Sequence, residues 1–385
     1  TGRHIDRGLD LLRSVLTGLG MRSAQSPRAA VFSLLWQRLR LRWRGLVFVP
    51  RSVDRVDTDV LLRMDTCWAA ATGLAMADVV SASDFTARHL LMALDAGEPY
   101  RIARGMAMES AARGAYPTGR KWSQRLEEES KALAKSVGNP HAIALSLLAG
   151  GINATTAGEW KKALTSSEQA LAILRDRCAG STWELTIAQN VVIWALMYLG
   201  EIGEVSRRVP ALLADARSRG NLYLATELAT RANYVWLASD DPDEGERETV
   251  ESIARWSRER FYRQHYSAML ARVQTALYRG DGEAAWRLLA EQESRLRASY
   301  LRRVQIIRIE WFYLRARSAL AMAATNRRSS RWLSVARAGA RRIANERMPW
   351  SDPIALLVRA GIAYLEGSTP LALRHLHDAV DRFER

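Results

Sequence analysis

Cysteine is almost missing from this chain: Cys67 and Cys178 are the only two in 385 residues, which excludes a disulfide scaffold and any multi-cysteine zinc module and fits a reducing compartment. Lysine is nearly as scarce. Five of the 56 basic residues are lysine, at positions 121, 131, 135, 161 and 162, and the other 51 are arginine. No apolar run reads as a membrane span. The longest uncharged stretch, Ser136 to Gly158, carries Asn139, Pro140, Gly150, Gly151 and Asn153, and the next, Leu185 to Gly200, is too short. Strand-like alternation is confined to Leu46-Val47-Phe48-Val49. No secretory leader opens the chain, which starts at Thr1 and stops at Arg385 inside an amphipathic pattern, so it reads as a cytoplasmic fragment of something longer.

The motifs of catalysis are missing too. Gly18-Leu19-Gly20 lacks the lysine and hydroxyl residue of a phosphate-binding loop, and neither H-R-D nor D-F-G occurs. His375 and His377 stand two apart on one helix, which points them to different faces, while His4, His89, His141 and His265 are isolated along the chain. Cys67 lies in the apolar run Cys67-Trp68-Ala69-Ala70-Ala71 and reads as a buried, inert thiol; Cys178 has no marked histidine partner. The acidic cluster at Asp241 lacks the spacing of a calcium loop. The sequence therefore assigns no catalytic, metal or cofactor-binding residue, and no enzyme is expected.

What is present is an ordinary globular composition, 48% hydrophobic and 25% charged, with a formal net charge of +15. The charge sits at the ends: residues 1–50 carry +7, residues 255–385 carry +13, and the middle carries −5. An arginine-rich codon bias explains so high an arginine-to-lysine ratio without nucleic acid as a partner. Binding of nucleic acid or of an anionic surface through the basic ends is the alternative.

Helical periodicity runs nearly throughout. After Gly158 the residues Trp160, Ala163, Leu164, Ser167, Ala170, Leu171 and Leu174 form one stripe, with Lys161, Lys162, Glu168 and Arg175 on the other face. Ser26-Pro27, Asn139-Pro140, Asp241-Pro242, Asp352-Pro353 and Thr369-Pro370 each place a capping side chain before a proline, the arrangement of a helix start. The fold class is all-α.

A longer pattern recurs in the second half. A glycine that ends one helix is followed by a small or apolar residue five positions later and another seven after that: Gly158/Ala163/Ala170, Gly200/Val205/Leu212, Gly367/Ala372/Ala379 and, more loosely, Gly280/Ala285/Gln292. Seven residues before each glycine stand Gly151, Ile193, Ala360 and Val273. Small residues at such offsets let paired helices approach, and the pattern resembles the tetratricopeptide (TPR) family over about residues 100–385. The spacings from Ala163 to Val205, from Val205 to Ala285 and from Ala285 to Ala372 are 42, 80 and 87, the last two being double units, which implies elongated repeats of about 40–43 residues, with degenerate units near 240–255 and 320–345. The resemblance implies a TPR-like solenoid winding as a right-handed superhelix. Residues 1–50 read as a basic helical segment, 51–140 as irregular helical pairs and 141–385 as the repeats.

Two places stand out as candidate interaction sites. Trp36 and Trp43, one helical face at i and i+7, alternate with Arg38, Arg40, Arg42 and Arg44, an interleaving that could stack bases or sit on an anionic membrane. The plainer alternative packs this helix against the first repeat with the arginines outward. Arg308 and Arg315 share a face within the set Arg295, Arg297, Arg302, Arg303, Arg308, Arg315 and Arg317 and could line a groove as an anion-binding pair.

Several segments together resemble a known arrangement: Leu34-Leu35-Trp36-Gln37-Arg38, His89-Leu90-Leu91 through Gly97-Glu98-Pro99-Tyr100-Arg101-Ile102-Ala103-Arg104, Tyr198-Leu199-Gly200-Glu201, Gly280-Asp281-Gly282-Glu283-Ala284-Ala285-Trp286 and Glu346-Arg347-Met348-Pro349-Trp350. They are similar to the C-terminal helical region of large bacterial serine/threonine kinases, which follow a kinase module and an ATPase-like module with TPR-like repeats. The resemblance implies a regulatory or scaffold arm that holds a protein or peptide in a concave groove, the kinase module in cis among the candidates. The sensor arm of a helical-repeat transcription regulator is a related expectation.

Overall fold

The computed structural model describes residues 3–18, 20–21, 24, 26–75, 78–257, 260–299, 301–325 and 329–384. Leu19 of the Gly18-Leu19-Gly20 segment and the side chain of His4 lie outside the described residues. Every regular element among those residues is helical, as the periodicity requires, and none is long and apolar enough to cross a membrane. The helices divide between two compact units, Thr1–Thr155 with Glu159–Leu199, and Thr156–Gly158 with Gly200–Arg385.

The first unit contains α1 (Arg3–Gly18), α2 (Pro27–Arg44), α3 (Thr58–Leu74), α4 (Val79–Ala96), α5 (Pro99–Gly114), α6 (Arg120–Val137), α7 (Pro140–Ala157), α8 (Trp160–Arg177) and α9 (Thr182–Tyr198). The second contains α10 (Ile202–Ser218), α11 (Leu222–Arg231), α12 (Tyr234–Ala238), α13 (Pro242–Ala254), α14 (Arg263–Tyr278), α15 (Gly282–Ala298), α16 (Gln305–Thr325), α17 (Ser329–Ala344), α18 (Ser351–Leu365) and α19 (Thr369–Glu384). Within each unit neighbours pack in pairs, among them α3 with α4, α5 with α6, α14 with α15, α16 with α17 and α18 with α19. The first residues of α3, α5, α7, α9, α11, α14, α16 and α18 recur every 40 to 46 positions.

The glycine pattern has the expected physical basis. Gly158, Gly200, Gly280 and Gly367 all adopt positive φ, between 75° and 81°, where a Cβ is strained and glycine ends a helix at least cost. Ala163, Ala170, Val205, Ala285, Ala372 and Ala379 are buried, whereas Leu212 and Gln292 are half-buried and cede the core to Leu213 and Leu296. At Gly151 a Cβ would stand 2.2 Å from Ser167 Oγ, so α7 and α8 meet at a point where only hydrogen fits. Trp160, two after Gly158, stacks on Tyr198 at 4.0 Å.

The two stretches expected to be degenerate as repeats are helical, as α13 and α17. Near 240–255 the helix-ending position is taken by Asp240 at φ 56°, a residue that tolerates the left-handed region, and Gly245 and Ser252 are buried five and twelve positions later. Near 320–345, α17 buries Trp332, Leu333, Ala336, Ala340 and Ile343. The helix starts hold at Ser26, Asn139 and Asp241, whose side chains accept from Ala29, His141 and Glu244 backbone N–H groups. At Asp352-Pro353 and Thr369-Pro370 the helices begin earlier, with Ser351 and Thr369 already helical. Glu98 is a cap that the pattern did not mark, its carboxylate accepting from the N–H groups of Tyr100 and Arg101.

The core of the first unit gathers Leu41 of α2, Met64 of α3, Leu90, Leu91 and Leu94 of α4, Ile102 and Met106 of α5 and Leu126 of α6. The β-like run at 46–49 forms no strand. Leu46 is buried, Phe48 is half-buried, and Val47 and Val49 are exposed, so the alternation survives as an extended segment lying over α4. Arg51 N–H donates to Gly97 O at 2.8 Å there, and a Cβ on Gly97 would meet Val49 O at 2.2 Å.

Candidate functional site

Charged groups in both units are largely consumed by one another. In the first unit Arg101 donates to both carboxylate oxygens of Asp65, at 3.0 and 2.6 Å, and Arg104 adds a further bond to the same group. Burial pushes the Asp65 carboxyl up, but the Arg101 hydrogen bonds and the Arg104 charge outweigh it and hold the pKa below its ordinary value. Arg104 also lies over the Trp68 and Tyr100 rings, at 4.8 and 5.3 Å. Tyr100 Oη is 3.0 Å from His141 Nδ1, and His141 Nε2 is 3.1 Å from Glu184, so this histidine, isolated in sequence, bridges α5, α7 and α9. In the second unit Glu310 accepts from Arg231 at 3.0 Å and from the Tyr266 hydroxyl at 3.1 Å, and Arg263 stands 3.4 Å from the buried Glu227.

His89 is the most deeply buried of the polar groups in that first network. It is fully inaccessible, with Nδ1 at 2.9 Å from Met64 O and Nε2 at 3.0 Å from Arg101 O. Burial, and then the Arg104 charge, lower its pKa to about 4. An unfolded histidine titrates near ~6.5, so between that pH and about 4 the unfolded chain takes up a proton that the folded one refuses. Stability is therefore expected to fall as pH drops through this window, by up to roughly 3 kcal/mol at its lower end. Urea titrations at several pH values should show the slope, and His89→Gln should flatten it whatever that substitution does to stability at neutral pH.

Arg308 and Arg315, the candidate groove pair, are closed by acids. Arg308 grips Glu346 with Nε and Nη2, the latter at 2.6 Å, and donates to the carbonyls of Arg302 and Arg303. Arg315 donates to Glu293 at 2.9 Å and lies over the Trp286 and Trp311 rings. Their neighbours are engaged likewise: Arg295 over Phe261, Arg297 on Glu293, Arg302 over Phe312 and Arg317 over Tyr313. The sequence shows the arginines on a helix but not the acids and rings that other helices bring to them.

The other candidates, Trp36, Trp43 and Arg40, lie on a different kind of surface. α2 buries Ala30, Leu34, Gln37 and Leu41, spaced i, i+4, i+7 and i+11, and seats this face on α4. Polar bonds pin it down. Arg38 Nε donates to the fully buried Glu109 at 3.0 Å, Arg44 Nε to Asp95 at 2.7 Å, Arg44 Nη2 to Leu94 O at 2.8 Å, and Ser33 to Asp84 at 2.8 Å. Arginines 38 and 44 thus turn inward, while Arg40 and Arg42 turn outward with the tryptophans, so the packing with arginines outside holds for only part of the set. The acids lie 51 to 71 residues away in sequence and left no local signal.

The outward face of α2 is apolar along its length. Phe32, Leu35, Trp36, Leu39 and Trp43 follow one another at helical spacing and are 74%, 60%, 48%, 37% and 71% exposed. The two indole rings meet edge to face with centroids 6.4 Å apart. Arg28, Arg40 and Arg42 are exposed on this helix without an acidic partner among the described residues, and Arg40 makes one bond, to Gln37 at 3.2 Å. A helix apolar on both faces is normally covered on both, which makes this stripe the candidate interaction surface. Burial pushes the Cys67 thiol up to about 12, which keeps it protonated, and raises that of Cys178. Among the described residues no group of three or more His, Cys, Asp or Glu side chains is placed to hold a metal ion.

No family model matches the chain, and no curated protein matches it significantly.

Proposed function

We propose that this chain is a non-catalytic, cytoplasmic regulatory solenoid, the sensing or scaffold arm of a bacterial serine/threonine kinase signalling protein. The observation that carries the reading is the repeat: helix pairs begin every 40 to 46 residues, and glycines and buried alanines stand at the points of closest approach. Such pairs use their apolar faces to stack on one another, and the surface left over serves to bind. The first helices of successive pairs also carry linked polar groups, Tyr100, His141 and Glu184 in one unit and Arg231 and Glu310 in the other, which tie pairs to one another as stacking requires. The kinase resemblance makes a kinase module the partner of choice.

Titration of a labelled bacterial serine/threonine kinase module of this architecture against the purified chain tests this. Binding should persist from low salt to about 150 mM, because buried apolar and aromatic anchors are not screened, whereas a labelled duplex should be released over the same range. The chain alone should not turn over ATP. Loss of the module at physiological salt, submicromolar sequence-dependent duplex binding there, or ATP turnover that survives repurification would sink the reading.

A further inference from the structure

The uncovered face of α2 has a chemistry of its own, independent of the kinase reading. With successive side chains turning about 100° around the helix, Phe32, Leu35, Trp36, Leu39 and Trp43 fall along one edge, with Arg40 on one side of it and Arg42 and Arg28 on the other. From Phe32 to Trp43 the ridge runs roughly 16 Å. No acidic residue occurs anywhere in α2. Arg38 and Arg44 are spent on Glu109 and Asp95, so the outward arginines are surplus to what holds the helix in place.

We propose that this face is a docking surface for an anionic lipid bilayer, with the rings and leucines entering the headgroup boundary and the flanking guanidinium groups on lipid phosphates. Three features favour that occupant. Charge is the first: two copies of the face would set arginine against arginine, whereas α19 flanks its exposed Leu373, Leu376, Val380 and Phe383 with both signs, Arg374 and Arg382 beside Asp378 and Asp381. Side-chain type is the second. Arginines and indoles suit nucleic acid, but Phe32, Leu35 and Leu39 have no favourable place on a phosphate backbone, while aliphatic and indole groups with flanking arginine match a membrane interface. Rigidity is the third. The bonds at Arg38, Arg44 and Ser33 to α4 and α5 hold the ridge in place before contact, and a flat bilayer takes a straight ridge without needing a groove shaped for it.

Co-sedimentation of the purified chain with phosphatidylcholine vesicles, and with vesicles in which about one-quarter is phosphatidylglycerol, tests the proposal. The chain should bind the anionic vesicles at least about tenfold more tightly than the neutral ones. Trp36→Ala/Trp43→Ala and Arg40→Glu/Arg42→Glu should each weaken that binding about tenfold or more, with melting curves unchanged because all four side chains are exposed. Arg255→Glu/Arg287→Glu, exposed in the second unit, should bind as the parent does, which separates this face from general basicity. Three results would overturn the proposal: no preference for anionic vesicles; equal loss with the second-unit variant; or binding indifferent to the tryptophans. It is equally overturned if the tryptophan pair changes only a monomer–dimer equilibrium or only the binding of labelled single-stranded or duplex DNA, since the face then belongs to a second copy or to nucleic acid.

Discussion

Glu109→Ala should remove about 3–5 kcal/mol from the stability of the first unit and loosen α2 from its seat. Glu109 is fully buried on α5, and its Oε1 accepts from Arg38 Nε at 3.0 Å and from Arg113 Nε at 2.5 Å. Burial holds the Arg113 pKa below its ordinary value, and the Glu109 charge works against that. Removal of the carboxylate leaves two guanidinium groups in a poorly hydrated place with no counter-charge there, which is far costlier than never having had the pair. A urea titration followed by circular dichroism reads the loss, and limited proteolysis between Arg44 and Thr58 reads the loosening of α2. Replacement of the whole set, Arg38→Met/Glu109→Leu/Arg113→Met, should recover most of the stability, because the charges leave together. A loss below about 1 kcal/mol for Glu109→Ala would mean that water reaches the cluster and that the ion pairs hold nothing.

Trp311→Ala should cost a comparable ~3–5 kcal/mol in the second unit, by cavity formation instead of by stranded charge. Trp311 is 1% exposed on α16, the helix on which α14, α15, α17 and α18 all pack. Three of those contacts are tight enough to need glycine or come close to it: a Cβ at Gly282, Gly339 or Gly361 would lie 2.8–2.9 Å from Ala321, Ala316 or Leu320. A large void beside so constrained a helix cannot collapse, and the unfilled volume sets the loss. Trp36→Ala, the same change at a side chain 48% exposed, should shift stability by no more than about 0.5 kcal/mol. Equal effects at the two tryptophans would refute the division of labour between them.

Much of the architecture was legible because it is local. Helical period follows from which side chains repeat every three or four residues, and the repeat could be seen because a helix that must end in the left-handed region nearly always takes glycine there, as at Gly158, Gly200, Gly280 and Gly367. Where Asp240 does that work the glycine signal is missing, which is why that unit reads as degenerate along the chain. The inert Cys67 was legible for the same reason, since the residues that bury it include its own neighbours in the chain.

What tertiary structure alone decided is which charges remain open. Arg308 and Arg38 look alike along the chain, each an arginine among apolar residues on a helix, and so do Arg40 and Arg42. Arg308 is closed by Glu346, 38 positions away, and Arg38 by Glu109, 71 positions away, while among the described residues no acid reaches Arg40 or Arg42. Periodicity finds the buried face of α2 but gives no reason for the opposite face to be apolar as well. Only the packing of α2 on α4 shows that one stripe is spent on the core and that Phe32, Leu35, Trp36, Leu39 and Trp43 are left exposed. Local pattern determines the type of each element and the side it can bury; pairing between distant residues determines which groups are left for a partner, because burial and ion pairing depend on distances in space that sequence spacing does not encode.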